Sequence, residues 1–178
     1  MHFLSLSTEH PFEKGSKQYE FVKNDLKNAS NNSSIDWIIV HNHKPYYSTR
    51  NDMDTAEELR NTYHPLFETY GVDLVISSHN QYYERIYPLI YNSKDDGNPI
   101  YSNSTSRYYH NPNGIIFLTV GTAGDELQDI ENNDDYYVIQ KERYGFLNLE
   151  LKGDGHSIMG EFHTNKGKIL DNFELTKS

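Results

Sequence analysis

Two apolar runs in this chain of 178 residues end in side chains that can hold a metal ion. Trp37-Ile38-Ile39-Val40 leads into His41, Asn42 and His43; Leu74-Val75-Ile76 leads, after two serines, into His79, Asn80 and Gln81. A neutral imidazole nitrogen is the commonest metal-ligating side-chain atom, and a carboxamide oxygen is a weaker, harder donor. His41 and His43 share a face if the strand extends through both, and Gln81 then returns to the face of His79 while Asn80 points away. A third run, Gly114 to Gly124, ends in small residues that let another group approach closely. Asp125 and Glu126 follow it at the same end, where they could be ligands but read more readily as a solvated acidic loop. Asp36 and Asp73 stand at the opposite end of their runs, which makes them poor ligands for the same ion. His64, His110, His156 and His163 have no partner pattern and read as surface or loop residues. The chain has no cysteine, no Gly-x-Ser-x-Gly elbow, no Gly-rich phosphate loop and no His-Glu-x-x-His pair. Hydrolysis by a metal-activated water is the remaining chemistry.

These residues need strands that end together. The alternation of His2–Ser7 predicts a half-buried strand. Gly15-Ser16 opens a helix in which Tyr19, Val22 and Leu26 share a face, with Phe21 off that stripe, and the run Lys27–Ser34 ends it. Residues 37–41 read as an interior strand, and Pro45 ends regular structure after it. Thr55-Ala56-Glu57-Glu58 predicts a capping box for a second helix that buries Leu59, Tyr63, Leu66, Phe67 and Tyr70. Pro65 should kink that helix and Gly71 should cap it. Strands follow at Val72–Ser77 and Gly114–Val120, separated by a long polar loop over 92–113. Residues 125–143 read as acidic and irregular. The remainder alternates with period two around Gly153-Asp154-Gly155 and Asn165-Lys166-Gly167, as an antiparallel meander does. Helix-then-strand order, repeated, predicts an α/β fold with parallel neighbours, in which ligands gather beyond the carboxyl ends of the strands.

Bulk properties narrow the function classes. The net charge of −10 repels a nucleic-acid backbone. No apolar stretch is long enough to span a membrane, and the N-terminal residues lack the basic and apolar regions of a signal peptide. Asn28-Ala29-Ser30, Asn31-Asn32-Ser33, Asn32-Ser33-Ser34 and Asn103-Ser104-Thr105 fit the N-glycosylation pattern. The 15 tyrosines allow a further reading, a carbohydrate- or peptide-binding aromatic surface over 82–109, against which stand ordinary core tyrosines.

Several segments together resemble one family. Asp36-Trp37-Ile38-Ile39-Val40-His41-Asn42-His43-Lys44-Pro45-Tyr46-Tyr47-Ser48-Thr49 looks like the purple acid phosphatase segment in which a strand ends in His-x-Pro-x-Tyr-Ser. Residues 57–89, through Ser78-His79-Asn80-Gln81-Tyr82-Tyr83-Glu84-Arg85, resemble the following segment, which ends in Gly-His-x-His-x-Tyr-Glu-Arg. The strand-to-glycine turn at 114–124, the first strand and helix, and the tail from Tyr144 are similar as well. The family belongs to the calcineurin-like metallophosphoesterases. The resemblance implies an α/β/β/α sandwich, here with a mixed sheet and C-terminal antiparallel strands. It implies a dinuclear site for divalent and trivalent ions (Fe, Zn or Mn) and attack of a metal-bound water on a small phosphate ester. His43 and His79 would be metal ligands, with His43 favoured over His41, whose position is usually apolar in the family. Gln81 would stand where the family has a histidine ligand for the second ion, and Glu84 and Arg85 would support the site. The family's Gly-Asp-x-x-Tyr and Gly-Asn-His-Glu motifs are not in this sequence, and Met53 falls near the position of its general-acid histidine. The resemblance thus implies that residues 1–178 form the C-terminal part of a phosphoesterase domain, weakly active or inactive without the N-terminal half as partner. The alternative is a non-catalytic binding or partner-docking domain derived from the same fold. The family is often secreted, and the sequons agree with that setting.

Overall fold

The computed structural model describes residues 1–49, 55–102, 105–153 and 155–178. The sequon at Asn103 and the position of Met53 therefore lie outside the described residues. Two sheets form the centre. The larger has six strands: β1 (His2–Ser5), β2 (Ile38–His41), β3 (Leu74–Ser77), β4 (Tyr83–Ile86), β8 (Ile116–Val120) and β9 (Tyr137–Lys141), in the order β1-β2-β3-β8-β4-β9. Its first four members run parallel, and β4 is antiparallel to both β8 and β9. The smaller sheet has the order β10-β11-β12-β7, built from β7 (Tyr108–His110), β10 (Gly145–Leu151), β11 (Ser157–Thr164) and β12 (Ile169–Thr176). A short hairpin, β5 (Leu89–Ile90) with β6 (Ile100–Tyr101), stands apart.

Alternation along the parallel strands divides the interior in two. Ile38, Val40, Val75 and Phe117 face α1 (Lys17–Ser30) and α2 (Ala56–Thr69), packing with Val22, Leu26, Leu59, Tyr63 and Phe67. Trp37, Ile39, Leu74, Ile116 and Leu118 face the second sheet and pack on Ile158, Phe162, Phe173 and Leu175. A strand covered on both faces has apolar side chains at every position, which is why residues 37–40 and 115–118 read as unbroken apolar runs. The layers are helix, sheet and sheet, and the fold is the expected mixed α/β one.

The helix termini differ from one another. Ser16 Oγ accepts from the Tyr19 N–H at 3.1 Å and caps α1. Thr55, the expected cap of α2, makes no side-chain capping bond: its backbone is already helical (φ −94°, ψ −8°), which turns the hydroxyl away from the orphan amides. α2 runs through Pro65 to Thr69 and closes as a Schellman motif. Gly71, at φ +69°, donates to Glu68 O, and Val72 donates to Phe67 O.

Four other expectations are corrected. Residues 92–113 are not all loop, since β6 and β7 lie among them, and β7 joins the second sheet parallel to β12. Residues 125–143 contain β9, the edge strand of the main sheet. β7 and β9 are short and are held by distant partners, so no local pattern marks them. His64 is fully buried rather than at the surface: it accepts from or donates to Tyr47 OH at 2.7 Å and lies 3.3 Å from Glu68. The aromatic surface read over 82–109 is reduced, because Tyr82, Tyr83 and Tyr109 are core residues, while Tyr108 is exposed and Tyr87, Tyr91 and Tyr101 are half-buried.

Candidate metal centre

The carboxyl ends of β2, β3 and β8 come together, and each carries a loop that the next one holds. Asn42 donates its N–H to Ile76 O at 3.1 Å, and Ser78 donates to His43 O at 2.9 Å, so the turns after β2 and β3 are laced side by side. β2 stops at His41, and His43 is carried by the loop, so the two histidines do not share a strand face. His41 is exposed at the strand end. His43 Nε2 and His79 Nδ1 stand 3.0 Å apart, with ring centroids 4.8 Å apart and the rings near perpendicular. His79 has φ +58°, a left-handed backbone that is costly for a residue with a Cβ.

That turn is pinned from three directions. Asn80 is buried, and its Nδ2 donates to Ser48 Oγ and to Tyr82 OH (2.8 Å). Gly121, just past β8, lies so close that a Cβ there would sit 2.0 Å from Asn80 O. Gln81 N–H donates to Gln128 Oε1 at 2.9 Å, and Gln128 N–H donates back to Gln81 O at 3.2 Å. Gln81 Nε2 donates to His79 O at 3.0 Å. His43, His79 and Gln81 thus line one cleft of about 580 Å³, closed on the far side by Asp125, Glu126, Leu127 and Gln128. The acidic pair is exposed to solvent there.

Glu84 and Arg85 do not line the cleft. Both are buried in β4, on opposite faces of the sheet. Arg85 reaches into the second sheet, where Nε and Nη2 form a two-point bond to Asp171 at 2.6 and 2.7 Å and Nη1 donates to Tyr109 OH at 2.9 Å. Tyr83 OH donates to the same carboxylate at 2.7 Å. Burial alone would lower the Arg85 pKa, but the Asp171 carboxylate more than offsets it and the guanidinium holds its proton more firmly than usual. Glu84 points the other way and accepts from Gln140 Nε2 at 3.1 Å. Burial pushes its carboxyl up to about 7, against smaller lowering contributions from Gln140, Thr49 and Thr119. The Arg85–Asp171 pair could not be read from the sequence, because its members are far apart along the chain and Asp171 belongs to no motif that would name it as the partner of Arg85.

The donor set can be tested against a metal ion. Two nitrogens bound at about 2.1 Å to one ion lie about 3.0 Å apart at right angles and about 3.4 Å apart at tetrahedral angles. His43 and His79 share a ring-to-ring hydrogen bond at 3.0 Å, close to that spacing, so a small rotation of the rings would let both face one ion. Among the described residues, no three His, Asp or Glu side chains converge enough to hold a metal. The described residues therefore fit part of one coordination shell and do not by themselves make a dinuclear centre.

Residues 3–83 match the family pattern of the calcineurin-like phosphoesterases, and the parallel sheet with paired helices on one face and a second sheet on the other agrees with that match. Within that class it is similar to purple acid phosphatases. Acid phosphatase type 7 of Danio rerio is 30% identical over 204 residues, covering 99% of this chain and 45% of that protein. A purple acid phosphatase from yellow lupin seeds superposes with a TM-score of 0.83 at 25% identity, covering 99% of this chain and 31% of its own. GAP50, the anchor in the inner membrane complex of Plasmodium, shares the fold with a TM-score of 0.73 at 21% identity, over 98% of this chain and 48% of its own. The chain spans less than half the length of each of these proteins.

Proposed function

We propose that this chain contributes part of the metal site of a phosphomonoester hydrolase of the acid phosphatase type. The observation that carries the reading is the 3.0 Å approach of His43 Nε2 to His79 Nδ1 at the ends of adjacent parallel strands. His43 and His79 would hold one ion, and Gln81 would offer a carboxamide oxygen towards a second. Bound iron, zinc or manganese supplies positive charge for the phosphoryl oxygens and acidifies a water nucleophile. The protein's own part is positional. The Asn80–Ser48–Tyr82 hydrogen bonds and the Gly121 contact keep His79 in its left-handed conformation, and Gln128, accepting through its side-chain oxygen and donating through its backbone N–H, holds the Gln81 backbone at the cleft. The substrate is a small phosphate ester reaching the cleft from solvent. Residues 1–178 acting alone are weakly active or inactive, because the two imidazoles and one amide gathered at the cleft among the described residues do not complete two coordination shells.

Metal content and turnover test this together. The chain dialysed against Zn, Mn or Fe should retain close to one ion, and His43→Ala or His79→Ala should release it. Aryl phosphate hydrolysis by the chain alone should stay near background; brisk metal-dependent turnover would sink the claim of incompleteness. A second reading, a binding or docking domain that kept the fold without the chemistry, draws on Gln81 in place of an imidazole ligand and on the fold shared with the Plasmodium anchor. Absence of bound metal at neutral pH would favour it.

A further inference from the structure

The polar segment after α1 carries three sequons that the proposed function leaves unused, and the pattern alone ranks Asn28, Asn31 and Asn32 equally. Their local structures are unlike. Asn28 lies inside α1, and the hydroxyl its sequon requires is turned elsewhere: Ser30 Oγ donates to Lys27 O at 3.1 Å. Asn31 is the residue that ends the helix, and its Nδ2 donates to Lys27 O at 2.8 Å, so the nitrogen that would be modified is satisfying a terminal helix carbonyl. Asn32 stands past the helix. Its Oδ1 accepts the backbone N–H of Ser34 at 3.0 Å, its Nδ2 makes no hydrogen bond among the described residues, and residues 32–34 are all exposed. A bond accepted by the amide oxygen draws electron density from the nitrogen and makes its protons easier to remove, while the turn brings the Ser34 backbone back to its own sequon's asparagine.

We propose that Asn32 is an N-glycosylation site, used when the chain passes through a secretory lumen, and that Asn28 and Asn31 are not. In the transfer, Asn32 Nδ2 forms a bond to the anomeric carbon of an oligosaccharide carried on a polyprenyl pyrophosphate. The bond from that carbon to the pyrophosphate oxygen breaks, the lipid pyrophosphate departs, and the amide gives up one proton to a base of the transferring enzyme. The turn closes within three residues, so it can form before distant parts of the chain are available. Asn32 also precedes β2, at the end of the strand opposite His43, so a glycan there leaves the cleft open. The adjoining serines separate the two overlapping sequons: Ser33→Ala removes only that of Asn31, and Ser34→Ala only that of Asn32.

The test directs the chain, carrying Asn103→Gln to silence the remaining sequon, into the secretory lumen of a eukaryotic host behind a cleavable leader. Retained and secreted protein are pooled, and glycans are removed enzymatically in heavy-oxygen water. The expected result is a heavy-oxygen aspartate at position 32, lost in Ser34→Ala and in Asn32→Gln and kept in Ser33→Ala and Asn28→Gln. A label at position 28 or 31 instead, or no label at 32 in lumenal protein, overturns the proposal. None of these outcomes depends on metal binding or on phosphatase activity.

Discussion

His79 combines a side chain the site needs with a backbone it does not favour. At φ +58° its Cβ crowds the following carbonyl, a cost of about 1–2 kcal/mol for a residue with a side chain. His79→Gly and His79→Ala both delete the imidazole, but only glycine is at ease in this conformation. The glycine variant should therefore be more stable than the alanine variant by about 1 kcal/mol in denaturant titrations, while both lose metal. Glu84 shows the opposite bargain, a buried acid on a sheet strand. Its folded pKa of about 7 lies above the ordinary value of 4.5. Between those values the folded state binds more protons than the unfolded state, so stability falls as pH rises through the window and levels off above it. Glu84→Gln should flatten that decline and gain on the order of 1–3 kcal/mol over wild type at pH 8, with little difference near pH 4. Urea denaturation at both pH values measures it.

At the scale of elements, the turns rather than the strands place the proposed ligands. Gly121 on the turn after β8 touches the turn after β3 through Asn80 O, and an added Cβ must move one of two backbones. Gly121→Ala should weaken metal binding tenfold or more in titration calorimetry although it removes no ligand. The sheet-to-sheet contact has its own fixed point in Arg85 and Asp171. Truncating either partner strands a buried charge, so Arg85→Met or Asp171→Leu alone should cost about 3–5 kcal/mol. The double variant should be more stable than either single variant by thermal unfolding, since neither charge is then left alone.

Over the whole molecule, the proposed metal binding would be linked to folding, because the His43–His79 pair exists only when β2 and β3 are paired. An ion that binds the folded state alone adds about 2.7 kcal/mol at a free concentration of 100 times Kd. Added Zn or Mn should raise the melting temperature in a dose-dependent way, and His43→Ala should abolish the rise. Some of this could be read without coordinates. The paired strand-end motifs bring forward His41, His43, His79 and Gln81, with only the family resemblance preferring His43, and the covered strands announce themselves as unbroken apolar runs at 37–40 and 115–118, because hydrophobic periodicity is a local property of the chain. The meander from Gly145 to Thr176 is equally local, since its turns and alternation lie within a few residues of each other. Other features exist only in three dimensions. β7 and β9 are strands because β12 and β4 offer them free edges, and no pattern in their own residues requires it. His64 is buried because α2 turns that face onto Tyr47, and Arg85 meets a carboxylate 86 residues away. The sequence determined which side chains could do chemistry and which segments would be strands with two covered faces. Only the tertiary structure decided that two imidazole nitrogens meet at 3.0 Å, because that distance is set by hydrogen bonds between loops that are separate in sequence.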